Sequence, residues 1–212
     1  MPFTHRSQCE ILQAFSQIVA KSLRVDASEV VREAYLDDLG AESLDLIEIS
    51  METESHFDIW LPEKSILDTA NEVFGPGVLE RDGQLTEAGK QLMVRRMPEC
   101  DREAFAGDVT VKELRRYFMK VSTWVRMIET LMECTPRTCR QCLGELRAGS
   151  GLRLQCAQCG AETSMPSGEE VNREWVQQYY ETEYRGAYQQ LAGEHNSVQQ
   201  DARRPVSHNG ND

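Results

Sequence analysis

Four cysteines in the C-terminal half of the chain have the spacing of a metal site. They form two C-x-x-C pairs separated by thirteen residues, and they are Cys139, Cys142, Cys156 and Cys159. Four thiolates at this spacing can close a tetrahedral Zn²⁺ site. Glycine follows each pair closely, so that backbone N–H groups can turn toward the sulfur atoms. Because four protein ligands leave no open position for a substrate, we expect this site to be structural.

The segment around these cysteines, residues 134–165, resembles a zinc ribbon. Apolar residues flank a Gly-Ser-Gly turn at 149–151, which predicts a β-hairpin between the two pairs. So short a segment cannot fold on its own core, so the metal would supply the folding energy. Two alternatives stay open: iron in a four-thiolate site, and Cys134 as a substitute ligand.

A second pattern of residues that could support chemistry surrounds Ser43. Residues 36–48 read LDDLGAESLDLIE, and Phe57 follows fourteen positions after the serine. Gly40 permits a tight turn, so Ser43 is predicted to lie exposed at the start of an acidic helix. A phosphodiester on its hydroxyl would lie near free backbone N–H groups and the positive end of the helix dipole. The alternative is that Ser43 only caps the helix, because serine is a preferred N-cap residue.

At these residues the chain resembles the acyl carrier proteins, whose signature is a D-L-G-x-D-S-L-D run that opens an acidic helix. The matching residues are Asp38, Leu39, Gly40, Ser43, Leu44, Asp45, Glu48 and Phe57. The resemblance covers residues 9–63 and 108–125, which are similar to the family's first helices and to the start of its last helix. Glu42 stands where the family usually has Asp.

The resemblance implies that Ser43 carries a 4′-phosphopantetheine arm, whose thiol holds acyl groups as thioesters. The pathway would be fatty-acid, polyketide or related biosynthesis, and the chain itself would not be an enzyme. Glu42 and Asp45 would lie beside the metal-bound coenzyme A of a phosphopantetheinyl transferase. Glu48 and Glu52 would dock that transferase and acyl-processing enzymes such as a ketosynthase or acyl ligase.

The alternative is a carrier-like interaction module that never receives the arm. Its zinc ribbon would dock a partner protein or, as the least favoured option, nucleic acid. The ribbon has few basic residues, which are Arg137, Arg140, Arg147 and Arg153. A catalytic serine is not expected, because the sequence has no G-x-S-x-G motif and its four histidines are scattered.

The acidic charge of the chain is concentrated around Ser43. The chain has 35 acidic and 23 basic residues, and the segment from Asp26 to Glu63 has twelve acidic residues and one basic residue, Arg32. A local negative field attracts basic protein surfaces and repels nucleic acid and anionic lipid, although it is also typical of a solvated helix face. No apolar run has the length of a membrane span, and the N-terminus does not read as a signal peptide. We therefore expect a cytoplasmic protein.

The elements that must position these groups are mainly helices. Hydrophobic periodicity predicts helices over residues 9–23, 43–56, 85–97, 110–133 and 169–190, with Thr86 as the N-cap of the third and a capping box of Thr110 and Glu113 at the start of the fourth. We predict a mainly α fold: an acyl-carrier-like helical bundle with an insertion, followed by a small β zinc ribbon and a C-terminal helix. The predicted segments are the carrier domain 1–133 with an insertion at about 66–107, the ribbon 134–165, the C-terminal helix 166–191 and a disordered tail 192–212.

Overall fold

The computed structural model describes residues 7–149 and 153–186, and it confirms a mainly α fold with a small β segment at the cysteines. The described helices are α1 (Gln8–Leu23), α2 (Ser43–Phe57), α3 (Ile66–Phe74), α4 (Glu87–Arg96), α5 (Val111–Phe118), α6 (Val121–Cys134) and α7 (Gly168–Tyr179). The strands are β1 (Glu80–Arg81), β2 (Gln84–Leu85), β3 (Leu146–Ala148), β4 (Arg153–Cys156) and β5 (Glu162–Ser164). A 3₁₀ turn spans Arg102–Phe105 and a π-helical turn spans Tyr180–Tyr184.

The first core lies between α1, α2 and α6. Helix α1 begins at a capping box, in which Ser7 and Glu10 satisfy each other's backbone N–H groups. Its apolar residues recur at helical spacing, so Phe15 is completely buried and stacks on Trp124 of α6 with ring centroids 5.4 Å apart. Helix α2 contributes Ile49 to the same core. Val171 of α7 and several loop residues complete this core, which therefore joins segments that are far apart in sequence.

A second core combines residues of predicted helices with residues of the segments 66–84 and 99–109, for which the sequence predicts no helix. It lies between α3, the β1–β2 hairpin, α4 and α5. Helix α3 was missed because it is only nine residues long, although Ser65 and Asp68 form a capping box at its start. Helix α4 agrees with the predicted helix over 85–97 and has the predicted N-cap, Thr86. The C-terminal helix α7 also packs here, through Val176 and Tyr179.

The single helix predicted over 110–133 is wrong, because the structure breaks it into α5 and α6. The predicted capping box of Thr110 and Glu113 is present at the start of α5. The break follows from the loop before α2: the carbonyl of Met119 accepts a hydrogen bond from the N–H of Leu36 at 2.9 Å. The Met119 carbonyl is therefore bonded to a group outside the predicted helix, and the two helices pack in different cores. Helix α5 packs in the second core, and α6 is the helix that packs beside α1 in the first.

The ribbon is a three-stranded antiparallel sheet in the order β3–β4–β5. The predicted hairpin is present as the β3–β4 pair, in which Leu146 lies opposite Cys156. The predicted helix over 169–190 is observed as α7 and the π-helical turn, and its end lies outside the described residues, as does the predicted tail 192–212. Among the described helices, none combines the length and apolar character that a membrane span requires.

Candidate functional site

Ser43 is the first residue of α2, and its side chain is exposed. The N-cap residue is Glu42, whose backbone N–H donates to Asp45 Oδ2 at 2.8 Å. Within the described residues, the Ser43 hydroxyl makes no hydrogen bond, so it does not cap the helix. The hydroxyl is accessible and lies among the free N–H groups of the first helical turn, where an attached phosphate would be stabilised.

The loop before Ser43 is fixed to the junction between α5 and α6. Gly40 has φ +90°, a left-handed conformation that favours glycine, and the next N–H, of Ala41, donates to Leu36 O at 2.9 Å. Arg116 of α5 contacts Asp38 at 2.8 Å, and its guanidinium carbon lies 4.6 Å from the ring centroid of Tyr35. The Asp-Leu-Gly part of the motif therefore holds the turn that presents Ser43.

The four predicted docking carboxylates do not share one environment. Glu42 and Glu48 are exposed. Glu52 is exposed and lies 3.4 Å from Lys21 of α1, whereas Asp45 is half-buried and satisfies the start of its own helix. The structure therefore favours Glu42, Glu48 and Glu52 as surface groups, and gives Asp45 a structural role.

Helix α2 also has an exposed apolar stripe that the sequence did not assign to either face. Leu44, Ile47 and Met51 are 79%, 57% and 65% exposed, at helical spacing beside the acidic residues. The inward face of the same helix is the parallel stripe that contains Ile49 and Phe57. Both stripes have the same period, so periodicity alone could not decide which one faces the core. A surface with apolar residues inside an acidic rim is typical of a protein-binding face.

The four cysteines of the two pairs come together as the sequence predicts. Their sulfur atoms all lie within 4.8 Å of one another; the Cys139–Cys159 separation is 3.7 Å and the Cys142–Cys156 separation is 3.4 Å. Tetrahedral Zn²⁺ with Zn–S bonds near 2.3 Å requires sulfur atoms about 3.8 Å apart, so the arrangement fits this ion. Cys134 is not a member of this cluster among the described residues.

The backbone favours the thiolate form at the first cysteine of each C-x-x-C turn, whereas contacts with the other sulfur atoms raise the pKa of Cys142. Backbone N–H groups lower the pKa of Cys139, and they lower the pKa of Cys156 to about 6. One such donor is the N–H of Gln141, 3.4 Å from the Cys139 sulfur, and Gln158 occupies the equivalent position beside Cys156, also at 3.4 Å. Because the thiolate is the metal ligand, these N–H groups prepare the site for a cation.

The basic residues of the ribbon do not form a strongly positive surface. Arg147 lies 3.2 Å from Glu145, and Arg153 lies 2.6 Å from Glu162, so neighbouring carboxylates offset two of the four positive charges. A nucleic-acid interface would need several unpaired basic groups on one face.

An exposed serine at the start of an acidic helix has the geometry that attachment of a phosphate-linked group requires. Comparison with known proteins agrees: residues 13–73 match the family described as "Phosphopantetheine attachment site". The acyl carrier protein of Clostridium acetobutylicum is 40% identical over 55 residues, which are 26% of this chain and 71% of that protein. No solved structure matched the chain.

The chain belongs to the acyl carrier protein family, whose members are carriers and not enzymes. The matched region contains α2 and α3, and begins within α1. It ends before α6, so the helix that completes the first core comes from outside the matched region. The family also implies a phosphopantetheinyl transferase and acyl-processing enzymes as general partners.

Proposed function

We propose that Ser43 carries 4′-phosphopantetheine and that the chain delivers acyl thioesters in fatty-acid, polyketide or related biosynthesis. The observation that carries this proposal is the exposed Ser43 hydroxyl, free of hydrogen bonds within the described residues, at the start of α2. Attachment forms a bond between Ser43 Oγ and phosphorus and breaks the pyrophosphate bond of coenzyme A. Adenosine 3′,5′-bisphosphate leaves, and the hydroxyl proton passes to the transferase or to solvent. The arm then supplies a thiol that holds the acyl group.

The fixed loop and the surface of α2 support this role. Gly40 and the Arg116–Asp38 contact hold the turn, so the attachment atom is presented without rearrangement of the first core. Glu42, Glu48 and the exposed apolar stripe of α2 form one face near Ser43 for a transferase, ketosynthase or acyl ligase. Acidic groups speed encounter with basic enzyme surfaces while keeping the complexes transient.

The experiment that tests the proposal is the intact mass of the denatured protein after incubation with coenzyme A and a broad-specificity phosphopantetheinyl transferase. We expect a gain of one phosphopantetheine in the native sequence and in the Ser55→Ala variant, and no gain in Ser43→Ala. Ser55 is a matched control because it is an exposed serine on the same helix. No gain with several such transferases would refute the carrier proposal for this chain.

We also propose that the four-cysteine site binds Zn²⁺ and has a structural role. The support is the spacing of the four sulfur atoms and the N–H groups that stabilise the thiolates of Cys139 and Cys156. Metal analysis of purified protein should find one zinc per chain, lost in Cys156→Ser and retained in Cys9→Ser, whose cysteine is exposed and outside the cluster. One iron per chain, with visible absorption, would refute the zinc assignment.

One observation favours the alternative of a ribbon that docks a partner protein. Leu143, at the tip of the first C-x-x-C turn, is 79% exposed. Such a side chain on a rigid turn suits insertion into an apolar pocket of another protein. The mass experiment separates the two proposals, because this alternative requires that Ser43 stay unmodified.

A further inference from the structure

A cavity of about 280 Å³ lies where the first and second cores meet. Its apolar lining residues are Leu46, Leu61, Met97, Phe118, Trp124 and Met127. The volume is near the lower end of that of ligand pockets, about 300 Å³, and suits a short chain better than a large cofactor. Residues of the insertion and of α2 both line it.

Arg96, the last residue of α4, lines this cavity and is only 9% exposed. Its Nη2 donates to Asn172 Oδ1 at 3.0 Å, and its guanidinium carbon lies 5.2 Å from the ring centroid of Trp175. Its Nε is buried and has no hydrogen-bond partner. Within the described residues, no carboxylate lies within 4.0 Å of this guanidinium, which therefore makes no direct ion pair; the charge of Glu99 acts on it from a greater distance.

The other charged groups around the cavity are compensated or exposed. Arg126 forms a half-buried ion pair with Glu99 at 2.8 Å, and Lys64 contacts Glu72 at 2.7 Å. Glu63 lines the cavity but is exposed to solvent. Arg96 thus differs from its charged neighbours, because it is buried and makes no direct ion pair. A buried charge in this state destabilises a protein.

Burial lowers the pKa of Arg96 to about 10; the charge of Arg126 lowers it further, and the carboxylate of Glu99 acts in the opposite direction. The group therefore stays protonated at neutral pH. It keeps its positive charge, so an anion bound in the cavity would supply the direct ion-pair partner that this guanidinium lacks.

The cavity is within reach of the attachment position. Leu46 and Ser50 of α2 line it, three and seven residues after Ser43. At a rise of about 1.5 Å per residue, these positions lie about 4.5 and 10 Å along the helix axis from Ser43. A flexible arm at Ser43 can therefore place its acyl end in the cavity.

We propose that this cavity binds an acyl chain that ends in a free carboxylate, and that Arg96 is the counter-ion of that carboxylate. The inference rests on the proposed function, because the arm at Ser43 brings the chain to the cavity. The apolar walls contact the methylene groups, and the guanidinium donates hydrogen bonds to the terminal carboxylate. The cargo class is therefore the half-thioester of a dicarboxylic acid.

The first test compares two cargoes on the native sequence. The transferase loads the unmodified protein from adipoyl-coenzyme A or hexanoyl-coenzyme A, two six-carbon groups that differ in the terminal carboxylate. The adipoyl carboxylate carries a ¹³C label, and its pKa is measured by NMR titration. We expect that pKa to be lowered by about one pH unit or more relative to free adipoyl-coenzyme A, because the carboxylate pairs with a buried cation. An unchanged pKa would overturn the inference.

The second test compares thermal unfolding midpoints of the two loaded forms in matched variants. Arg95→Gln is the control, because Arg95 is the adjacent arginine and its side chain is 64% exposed. We expect adipoyl to raise the midpoint above that of hexanoyl in the native sequence and in Arg95→Gln, and not in Arg96→Gln. Equal midpoints in the native sequence would contradict the inference. If Arg96→Gln does not fold, the titration of the native sequence decides.

The outcomes also separate this inference from the proposed function. If the intact mass shows no loading of Ser43, the carrier proposal itself has failed. If loading occurs but the carboxylate pKa and the unfolding midpoint do not respond, only the cargo assignment has failed. If free adipate stabilises Ser43→Ala while loaded adipoyl has no effect on the native sequence, the cavity binds a free anion and the inference is wrong.

Discussion

The first core and the ribbon are stabilised by different interactions. The first core buries side chains from four helices, including the stacked pair Phe15 and Trp124. The core of the ribbon is five residues, of which two are themselves the cysteines Cys139 and Cys156. The fraction of surface that a domain buries on folding increases with its size. A region as small as the ribbon therefore depends on its metal for stability. The two regions should therefore respond independently when either source of stability is removed.

Metal removal should give the largest difference between the two regions. Zinc binding contributes roughly 10–16 kcal/mol in zinc-finger peptides, far more than the ribbon's few apolar contacts can replace. After chelation, we expect amides of β4 and β5 to lose hydrogen-exchange protection, while amides of α1 keep theirs. Hydrogen exchange monitored by mass spectrometry measures both regions in one sample.

The cysteine variants provide the control for this experiment. Cys156→Ser should reproduce the loss of protection without a chelator, and Cys9→Ser should not. If α1 loses protection together with β4, the ribbon is instead required by the first core, through the helices α6 and α7 that flank it.

Truncation of a buried side chain in the first core should destabilise the helical region and leave the ribbon intact. The effect should be smaller than that of metal removal. Phe15→Ala removes a completely buried ring that stacks on Trp124, and such truncations destabilise proteins by about 3–5 kcal/mol. Urea unfolding followed by tryptophan fluorescence measures this loss. We expect the zinc content to stay at the native value, because no ligand is changed.

The matched control for Phe15→Ala is Val31→Ala. Val31 is 48% exposed, so its truncation should change the unfolding free energy by less than about 0.5 kcal/mol. If Phe15→Ala released the zinc while the protein remained folded, the independence of the two regions would be refuted.

The sequence predicted best those features that depend on local signals. The Asp-Leu-Gly turn, the capping box of Thr110 and Glu113 and the two C-x-x-C pairs are each defined within a few residues, and each lies where predicted. The break between α5 and α6 was missed because its cause is distant: the N–H of Leu36 uses the carbonyl of Met119. No periodicity in residues 110–133 contains that information.

The exposure of Leu44 and the burial of Arg96 could not be predicted either, because both depend on contacts that are distant in sequence. Leu44 and Ile49 lie on the same helix and have similar hydrophobicity. Only tertiary packing shows that the first is exposed and the second buried. Arg96 reads as an ordinary basic residue at the end of a helix. Its buried position beside Asn172 depends on how α7 packs on the second core, which no local pattern encodes.

The smallest expected effect concerns pH and the start of α5, which belongs to the second core. The backbone N–H and then the hydroxyl of Thr110 donate to Glu113 Oε2, each at 2.8 Å, and hold the carboxyl pKa below its ordinary value of 4.5. Because the pKa in the folded state is lower than in the unfolded state, this carboxylate stabilises the fold above about pH 4.5. That contribution is lost as the pH falls through the folded-state pKa.

Glu113→Gln should therefore destabilise the protein at neutral pH, and the difference from the native sequence should shrink below pH 4. Urea unfolding at a series of pH values measures the difference, and NMR titration of the Glu113 carboxyl measures its pKa directly. A difference that stays constant from pH 3 to 7 would contradict the assignment. The pH-dependent difference should also persist after chelation, because the start of α5 contacts the second core and has no ligand of the metal site. If chelation removed the pH-dependent difference, the ribbon would contribute to the stability of α5. The metal-dependent region would then include the start of α5 as well as the ribbon.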